Sequence, residues 1–188
     1  MTLSAAERRA LLRVARVAIA RAIGAPAEPD APREPVSTDS GRASAGAFVS
    51  LHRRDGDELR GCIGCFEGRG TLEETVARMA VEAATRDPRF PPVRPFELGG
   101  LTIEISVLGP MLELADPAAV EVGNHGLVVS RGSHRGVLLP QVATECGWSR
   151  EEFLDHTCLK AGLGRGDWRR PGTRLETFTA EVFADASE

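Results

Sequence analysis

The spacing of apolar residues along the chain predicts three amphipathic helices. Apolar positions recur three and four residues apart, as on the buried face of a helix. Each segment begins at a Ser or Thr with a Glu three residues later, the capping-box pattern. The helices are predicted over residues 4–23, 71–84 and 149–161. Pro140 predicts the start of a further short helix over residues 140–145.

Shorter segments of alternating or β-branched residues predict strands. Asp55-Gly56 lies between two of these segments and indicates a hairpin, and Leu101 begins a run in which apolar and polar residues alternate. The strands are predicted over residues 46–53, 58–66, 101–108, 126–130, 135–139 and 174–183. Hairpins and helices without a regular βαβ order predict an α+β fold, with a mostly antiparallel sheet flanked by helices.

Residues 25–44 differ in composition from the rest of the chain. They are rich in Pro, Ala, Asp and Ser, and the prolines remove backbone donors and disfavour helix. We expect a flexible loop that carries no site.

Composition excludes some classes of function. The chain has 188 residues, with 23 basic against 27 acidic residues and a net charge of −4, which is too little positive charge for a nucleic-acid binder. No segment approaches the ~20 apolar residues of a membrane span. The 4 cysteines lack the spacing of a secreted disulfide framework. We therefore expect a cytoplasmic protein with reduced thiols.

The most unusual segment is Leu59-Arg60-Gly61-Cys62-Ile63-Gly64. If it is extended, alternation places the side chains of Arg60 and Cys62 on the same face, where a guanidinium stabilises a thiolate. Gly61 and Gly64 leave room for a ligand or another backbone to approach the sulfur. Cys62 is therefore the leading candidate for a catalytic residue. The alternative is a small buried hydrophobic residue, with glycines that serve tight packing.

Cys62 and Cys65 also form a C-x-x-C pattern. In an extended strand their α-carbons are ~10 Å apart, too far for a disulfide. Cys146, Cys158 and the histidines lack the spacing of zinc ligands. We predict no metal site and no cofactor for this chain.

The hexapeptide resembles the signature of the AMMECR domain family, whose members include protein A of the AmmeMemoRadiSam system. Further segments match the family in order: Asp87-Pro88-Arg89-Phe90-Pro91-Pro92, Ile103-Glu104-Ile105-Ser106-Val107-Leu108, Leu138-Leu139-Pro140-Gln141-Val142 and Thr157-Cys158-Leu159-Lys160-Ala161-Gly162-Leu163. The resemblance implies one domain over residues 1–188, with a larger and a smaller subdomain and the hexapeptide near a cleft. It implies no established reaction. The system's name implies a radical SAM protein and a Memo-like protein as partners. The chain departs from the family pattern at Cys65.

Other residues of the matched segments are candidates for the same site. Glu104 could act as an acid or base or form an ordinary salt bridge, and His125 could be a general base or bond its own loop. Asp87 and Arg89 could shape a pocket wall or fix a chain reversal. Gln141 lies at a predicted helix start, which favours anions, and Lys160 lies near a helix end, where a cation complements the dipole.

Two functions remain open from the sequence. The chain is either an accessory protein of the radical SAM and Memo-like system, or an enzyme or binder that uses a Cys62 thiolate beside Arg60 on a small anionic or electrophilic molecule. The accessory function is favoured, because no base with defined spacing accompanies the thiol.

Overall fold

The computed structural model describes residues 2–26 and 45–185. Its helices are α1 (Ala5–Ile23), α2 (Leu72–Thr85), α3 (Pro140–Glu145) and α4 (Arg150–Lys160). Its strands are β1 (Ala45–Arg53), β2 (Leu59–Glu67), β3 (Leu101–Leu108), β4 (Leu112–Glu113), β5 (His125–Arg131), β6 (His134–Leu138) and β7 (Arg174–Ala184). Short 3₁₀ helices lie at Pro95–Gly100, Pro117–Ala119 and Asp167–Arg169. The α+β class predicted from the sequence is confirmed.

The chain forms two compact units. The first contains Met1–Leu108 and Glu181–Glu188, and the second contains Gly109–Ala180. The predicted loop at residues 25–44 lies outside the described residues, apart from Ala25 and Pro26. Within the described residues, no helix combines the length and the apolar character needed to cross a bilayer.

In the first unit, two helices cover one face of a sheet. The antiparallel strands are ordered β2-β1-β3. Alternate residues of β1, including Val49 and Leu51, are fully buried, as are Ile103 and Ile105 of β3. Helix α2 packs on β1 and β2, and α1 packs on α2. Both helices begin with the capping box that the sequence predicts, at Ser4 and at Thr71.

The second unit has its own apolar core. Strand β5 pairs with β6 and with β7, β4 pairs with β7, and these pairings are all antiparallel. Leu127 and Val129 of β5 pack with Phe153, Leu154 and Cys158 of α4. Strand β4 was not predicted from the sequence, because a strand of 2 exposed residues carries no alternation signal.

Candidate functional site

The hexapeptide lies on β2, and the strand is irregular at Arg60. Leu51 is paired with Gly61, but the next residue, His52, is paired with Leu59, so Arg60 has no partner on β1. An extra residue of this kind is a β-bulge, which interrupts the alternation of side chains. The alternation assumed for the whole hexapeptide is therefore correct only from Gly61 onward.

The Arg60 guanidinium is committed to a buried cluster. Its Nε donates to Glu97 Oε1 at 3.0 Å, and its terminal nitrogens donate to the carbonyl oxygens of Pro91 at 2.9 Å and Pro92 at 3.4 Å. Burial raises the pKa of Glu97, but the hydrogen bonds from Arg60 and from the Arg94 backbone N–H outweigh it and leave the pKa below its ordinary value. Arg60 thus joins β2 to the proline-rich segment that follows α2.

The two glycines of the hexapeptide are explained by packing. A Cβ on Gly61 would overlap the carbonyl oxygen of Ala83 near the end of α2, and a Cβ on Gly64 would overlap the Phe48 ring. Of the two roles open from the sequence, Gly61 therefore serves the approach of another backbone. This close approach brings the end of α2, and the segment after it, to the edge of β2.

Cys62 is half-buried, and its thiol is free. It lies directly opposite Ser50 of β1, whose hydroxyl donates to the Cys62 sulfur at 3.2 Å. The sulfur therefore has a defined hydrogen-bond donor, and it belongs to a residue that is only partly buried.

Asp87 and Arg89 hold the Cys62 backbone at the outer edge of β2. The Cys62 N–H donates to Asp87 Oδ2 at 2.9 Å, and Arg89 Nη2 donates to the Cys62 carbonyl oxygen at 3.2 Å. The Arg89 guanidinium also donates to both Asp87 oxygens, at 2.9 and 2.6 Å. These two side chains replace the backbone partners that a neighbouring strand would provide.

Asp87 and Arg89 each stabilise the charged form of the other. The Arg89 side chain holds the pKa of Asp87 well below its ordinary value, against the opposing effect of burial, and the backbone N–H groups of Cys62 and Arg89 lower it further. The pKa of Arg89 is raised, chiefly by Asp87 and to a lesser extent by the Cys62 thiol. At neutral pH the pair is an aspartate bound to an arginine.

The cation that contacts Cys62 is therefore Arg89, whose guanidinium donates to the Cys62 carbonyl oxygen. This corrects the sequence-based choice of Arg60. The physical reason is twofold: the bulge interrupts the alternation at Arg60, and Glu97 with two carbonyl groups takes up the Arg60 donors. The Arg89 side chain is 54% exposed, so its guanidinium is also accessible to a ligand.

Glu104 lies in the same row of the sheet as Cys62. Ser50 is paired with Cys62 on one side and with Glu104 of β3 on the other. Directly opposed residues of antiparallel strands have Cβ atoms about 5 Å apart and share a face. The order across the three strands is therefore Glu104, Ser50, Cys62.

Cys65 lies on the opposite face of β2 from Cys62. It is paired with Ala47, which belongs to the buried side of β1, and it packs against the helix-covered core. Arg78 of α2 donates to its sulfur at 3.8 Å. Both cysteines are free thiols, in agreement with the geometric argument against a disulfide.

Three candidates belong to the second unit. Nδ1 of His125 accepts from the Glu121 backbone N–H at 3.1 Å, so this ring bonds its own loop. Gln141 is the second residue of α3, and its Oε1 is buried without a hydrogen-bond partner in the described residues. Lys160 is exposed in the last turn of α4, where its charge complements the helix dipole.

Two residues of the site were missed in the sequence. Ser50 lies on the predicted hairpin, and Glu97 follows the proline-rich segment, but neither belongs to a distinctive motif. Ser50 is opposite Cys62 only because of the bulge at Arg60, which the sequence does not reveal. Glu97 has no comparable local signal, because its partner Arg60 is distant in the sequence.

The arrangement provides a thiol for nucleophilic chemistry and a guanidinium for an anionic group. Among residues 2–26 and 45–185, no cluster of three or more His, Cys, Asp or Glu side chains is placed to hold a metal ion.

Known proteins resemble the chain over nearly its full length. A protein of Methanothermobacter thermautotrophicus is 44% identical over 187 residues, which cover 96% of this chain and 95% of the relative. A protein of Thermofilum pendens is 40% identical over 200 residues, with 98% and 92% covered. Neither name states an activity.

A solved structure supports the same relationship. The crystal structure of the uncharacterized protein PH0010 from Pyrococcus horikoshii matches with a TM-score of 0.77 at 40% identity. The match covers 93% of this chain and 89% of that protein. The AMMECR1 family model matches residues 12–183, which include all the site residues described above. The chain therefore belongs to the AMMECR1 family.

Proposed function

We propose that Cys62 is the reactive group of a site for a small anionic, electrophilic molecule, with Arg89 beside it as the group that attracts the anion. The observation that carries this proposal is the half-buried Cys62, whose sulfur accepts a hydrogen bond from Ser50 and whose carbonyl oxygen accepts one from the exposed Arg89 guanidinium. Arg89 takes the place that the sequence analysis assigned to Arg60.

The proposed reaction is a nucleophilic substitution that uses the Cys62 thiolate. Its sulfur attacks an electrophilic carbon, a C–S bond forms, and the leaving group departs with the bonding electrons while the thiol proton goes to solvent. Asp87 does not take that proton, because Arg89 and two backbone N–H groups stabilise its ionised form. Its role is to hold Arg89 and the Cys62 backbone in place.

Alkylation rates test this function directly. We expect iodoacetamide at neutral pH to label Cys62 faster than the exposed Cys146 and the buried Cys158, as measured by mass spectrometry of peptides after timed quenching. Because Arg89 attracts anions, the ratio of the iodoacetate rate to the iodoacetamide rate should be higher at Cys62 than at Cys146. Arg89→Gln should lower that ratio at Cys62 about threefold, the size expected for an exposed charge.

A neighbouring arginine provides the control for this experiment. Arg86 is 73% exposed and pairs with Glu82 one helical turn away, so Arg86→Gln removes a similar charge outside the site. It should leave both rates at Cys62 unchanged. A Cys62 that reacts no faster than Cys146 would contradict the proposed function. If Arg89→Gln left the ratio of the iodoacetate rate to the iodoacetamide rate at Cys62 unchanged, Arg89 would not be the group that attracts the anion.

A second candidate function is that of an accessory protein, a cytoplasmic partner of a radical SAM protein and a Memo-like protein in an AmmeMemoRadiSam system. The observation that favours it is that Arg60, Gly61 and Gly64 have structural roles, so the family motif is largely accounted for by maintenance of the fold. Under this proposal the radical chemistry belongs to the partner.

Co-purification tests the accessory function. The chain, produced under anaerobic conditions together with a radical SAM protein of the same organism, should co-elute with it at micromolar concentration in size-exclusion chromatography. The Cys62→Ser variant should co-elute equally well, because this function does not use the thiol. Separate elution of the two proteins at that concentration would count against it.

A further inference from the structure

The Cys62 sulfur has a hydrogen-bond donor that is not part of the hexapeptide. The Ser50 hydroxyl lies 3.2 Å from the sulfur and donates to it. Ser50 is on β1, which is paired on both sides, with β2 and with β3. A donor on a strand fixed on both sides keeps its position when the sulfur changes its charge.

We propose that Ser50 is a positioning residue for Cys62, whose hydroxyl orients the sulfur and stabilises its thiolate form. This inference rests on the proposed function of Cys62 and adds a residue to that site. A hydroxyl that donates to an anion forms a charge-assisted hydrogen bond, which is stronger than the bond to the neutral thiol. The difference between the two bonds favours the thiolate.

Charged and titratable groups also surround this row of the sheet. Asp87 and Arg89 approach Cys62 from the segment after α2, Glu104 faces Ser50 from β3, and His52 lies two residues beyond Ser50 on β1. Their effects on the sulfur are Coulombic and are screened by salt. The Ser50 hydroxyl is neutral, so its stabilisation of the thiolate should persist in high salt. Measurements in low and high salt therefore separate the effect of the hydroxyl from that of the charged groups.

The pH profile of Cys62 alkylation tests the inference. With the neutral reagent iodoacetamide, Ser50→Ala should slow labelling of Cys62 at neutral pH about tenfold and move the midpoint of the profile up by about one pH unit, in low and high salt alike. The limiting rate at high pH should be unchanged, because every thiol is then ionised. Ser50→Thr, which keeps the hydroxyl, should restore the wild-type midpoint.

A hydroxyl elsewhere on the same face provides the matched control. Thr102 of β3 is paired with His52 instead of Ser50, so Thr102→Ala should have the wild-type profile. A wild-type profile in Ser50→Ala would overturn the inference. The inference would also be overturned if Ser50→Ala lowered the limiting rate at high pH and left the midpoint of the profile unmoved, because that result indicates damage to the strand.

Failure of this inference can be distinguished from failure of the proposed function. If Cys62 of the wild-type chain reacts no faster than Cys146, the proposed function fails and the inference fails with it. If Cys62 reacts fast and Ser50→Ala leaves its profile unchanged, only the role of Ser50 is refuted.

Discussion

Replacement of Asp87 by Asn is expected to lower the free energy of unfolding by about 3 kcal/mol, because it breaks a buried charge-assisted cluster. The Asp87 side chain is only 2% exposed and accepts from the Cys62 N–H, the Arg89 N–H and the Arg89 guanidinium. The amide of Asn has one acceptor oxygen, so at least one of these donors loses its partner. For a chain of this size the melting temperature should fall by about 6–12 °C.

The effect of Asp87 should also depend on pH. Its pKa is lower in the folded chain than in the unfolded chain, mainly through the Arg89 side chain. The stabilisation is therefore fully present above the unfolded value of about 4 and is lost as the pH falls below it. Urea unfolding of the wild type and Asp87→Asn from pH 7 down to pH 3 should show the stability difference shrinking at the acidic end.

Asp55 provides the control for Asp87. It lies exposed in the turn between β1 and β2, and Asp55→Asn should change the free energy of unfolding by less than about 0.5 kcal/mol. If Asp87→Asn were as stable as Asp55→Asn at pH 7, the carboxylate would have no structural role at the edge of β2.

The second large effect is expected for Gly61→Ala. The added methyl group would overlap the Ala83 carbonyl oxygen, and neither backbone can move cheaply because β2 is held by β1 and α2 is packed on the core. Overpacking of this kind should lower the free energy of unfolding by about 3 kcal/mol. Urea denaturation followed by far-UV circular dichroism would measure the change.

Gly99→Ala is the matched control for Gly61→Ala. Gly99 is exposed, and a Cβ there meets no atom within 4 Å. The substitution should therefore be neutral within about 0.5 kcal/mol. Equal stability of the two variants would show that close approach of α2 is not the reason for a glycine at position 61.

Local patterns predicted most of the secondary structure. The capping boxes at Ser4, Thr71 and Ser149 mark the starts of α1, α2 and α4, because a cap is a contact between residues only three positions apart. The Asp55-Gly56 turn and the alternation in β3 are equally local signals. The two-residue β4 is held by its pairing with β7, which leaves no trace in its own sequence.

The register of the first hairpin shows where local reasoning fails. The turn places Arg53 opposite Glu58, as the hydrogen bond from the Arg53 N–H to the Glu58 carbonyl confirms at 2.9 Å. Uniform pairing from that point would put Ser50 opposite Gly61. The bulge at Arg60 advances the register by one residue and puts Ser50 opposite Cys62 instead.

The choice between Arg60 and Arg89 required long-range contacts. Glu97, which binds the Arg60 guanidinium, is 37 residues from Arg60. Asp87, which binds Arg89 and the Cys62 N–H, is 25 residues from Cys62. The residues next to each arginine in the sequence therefore could not assign these two roles.

The sequence by itself determined the helices, the hairpins, the α+β class and the position of the thiol, since each depends on residues close together along the chain. Only the tertiary structure decided which groups surround that thiol. A bulge and the packing of α2 on β2 bring together Ser50, Asp87 and Arg89 from separate segments, and spacing along the chain carries no record of such contacts.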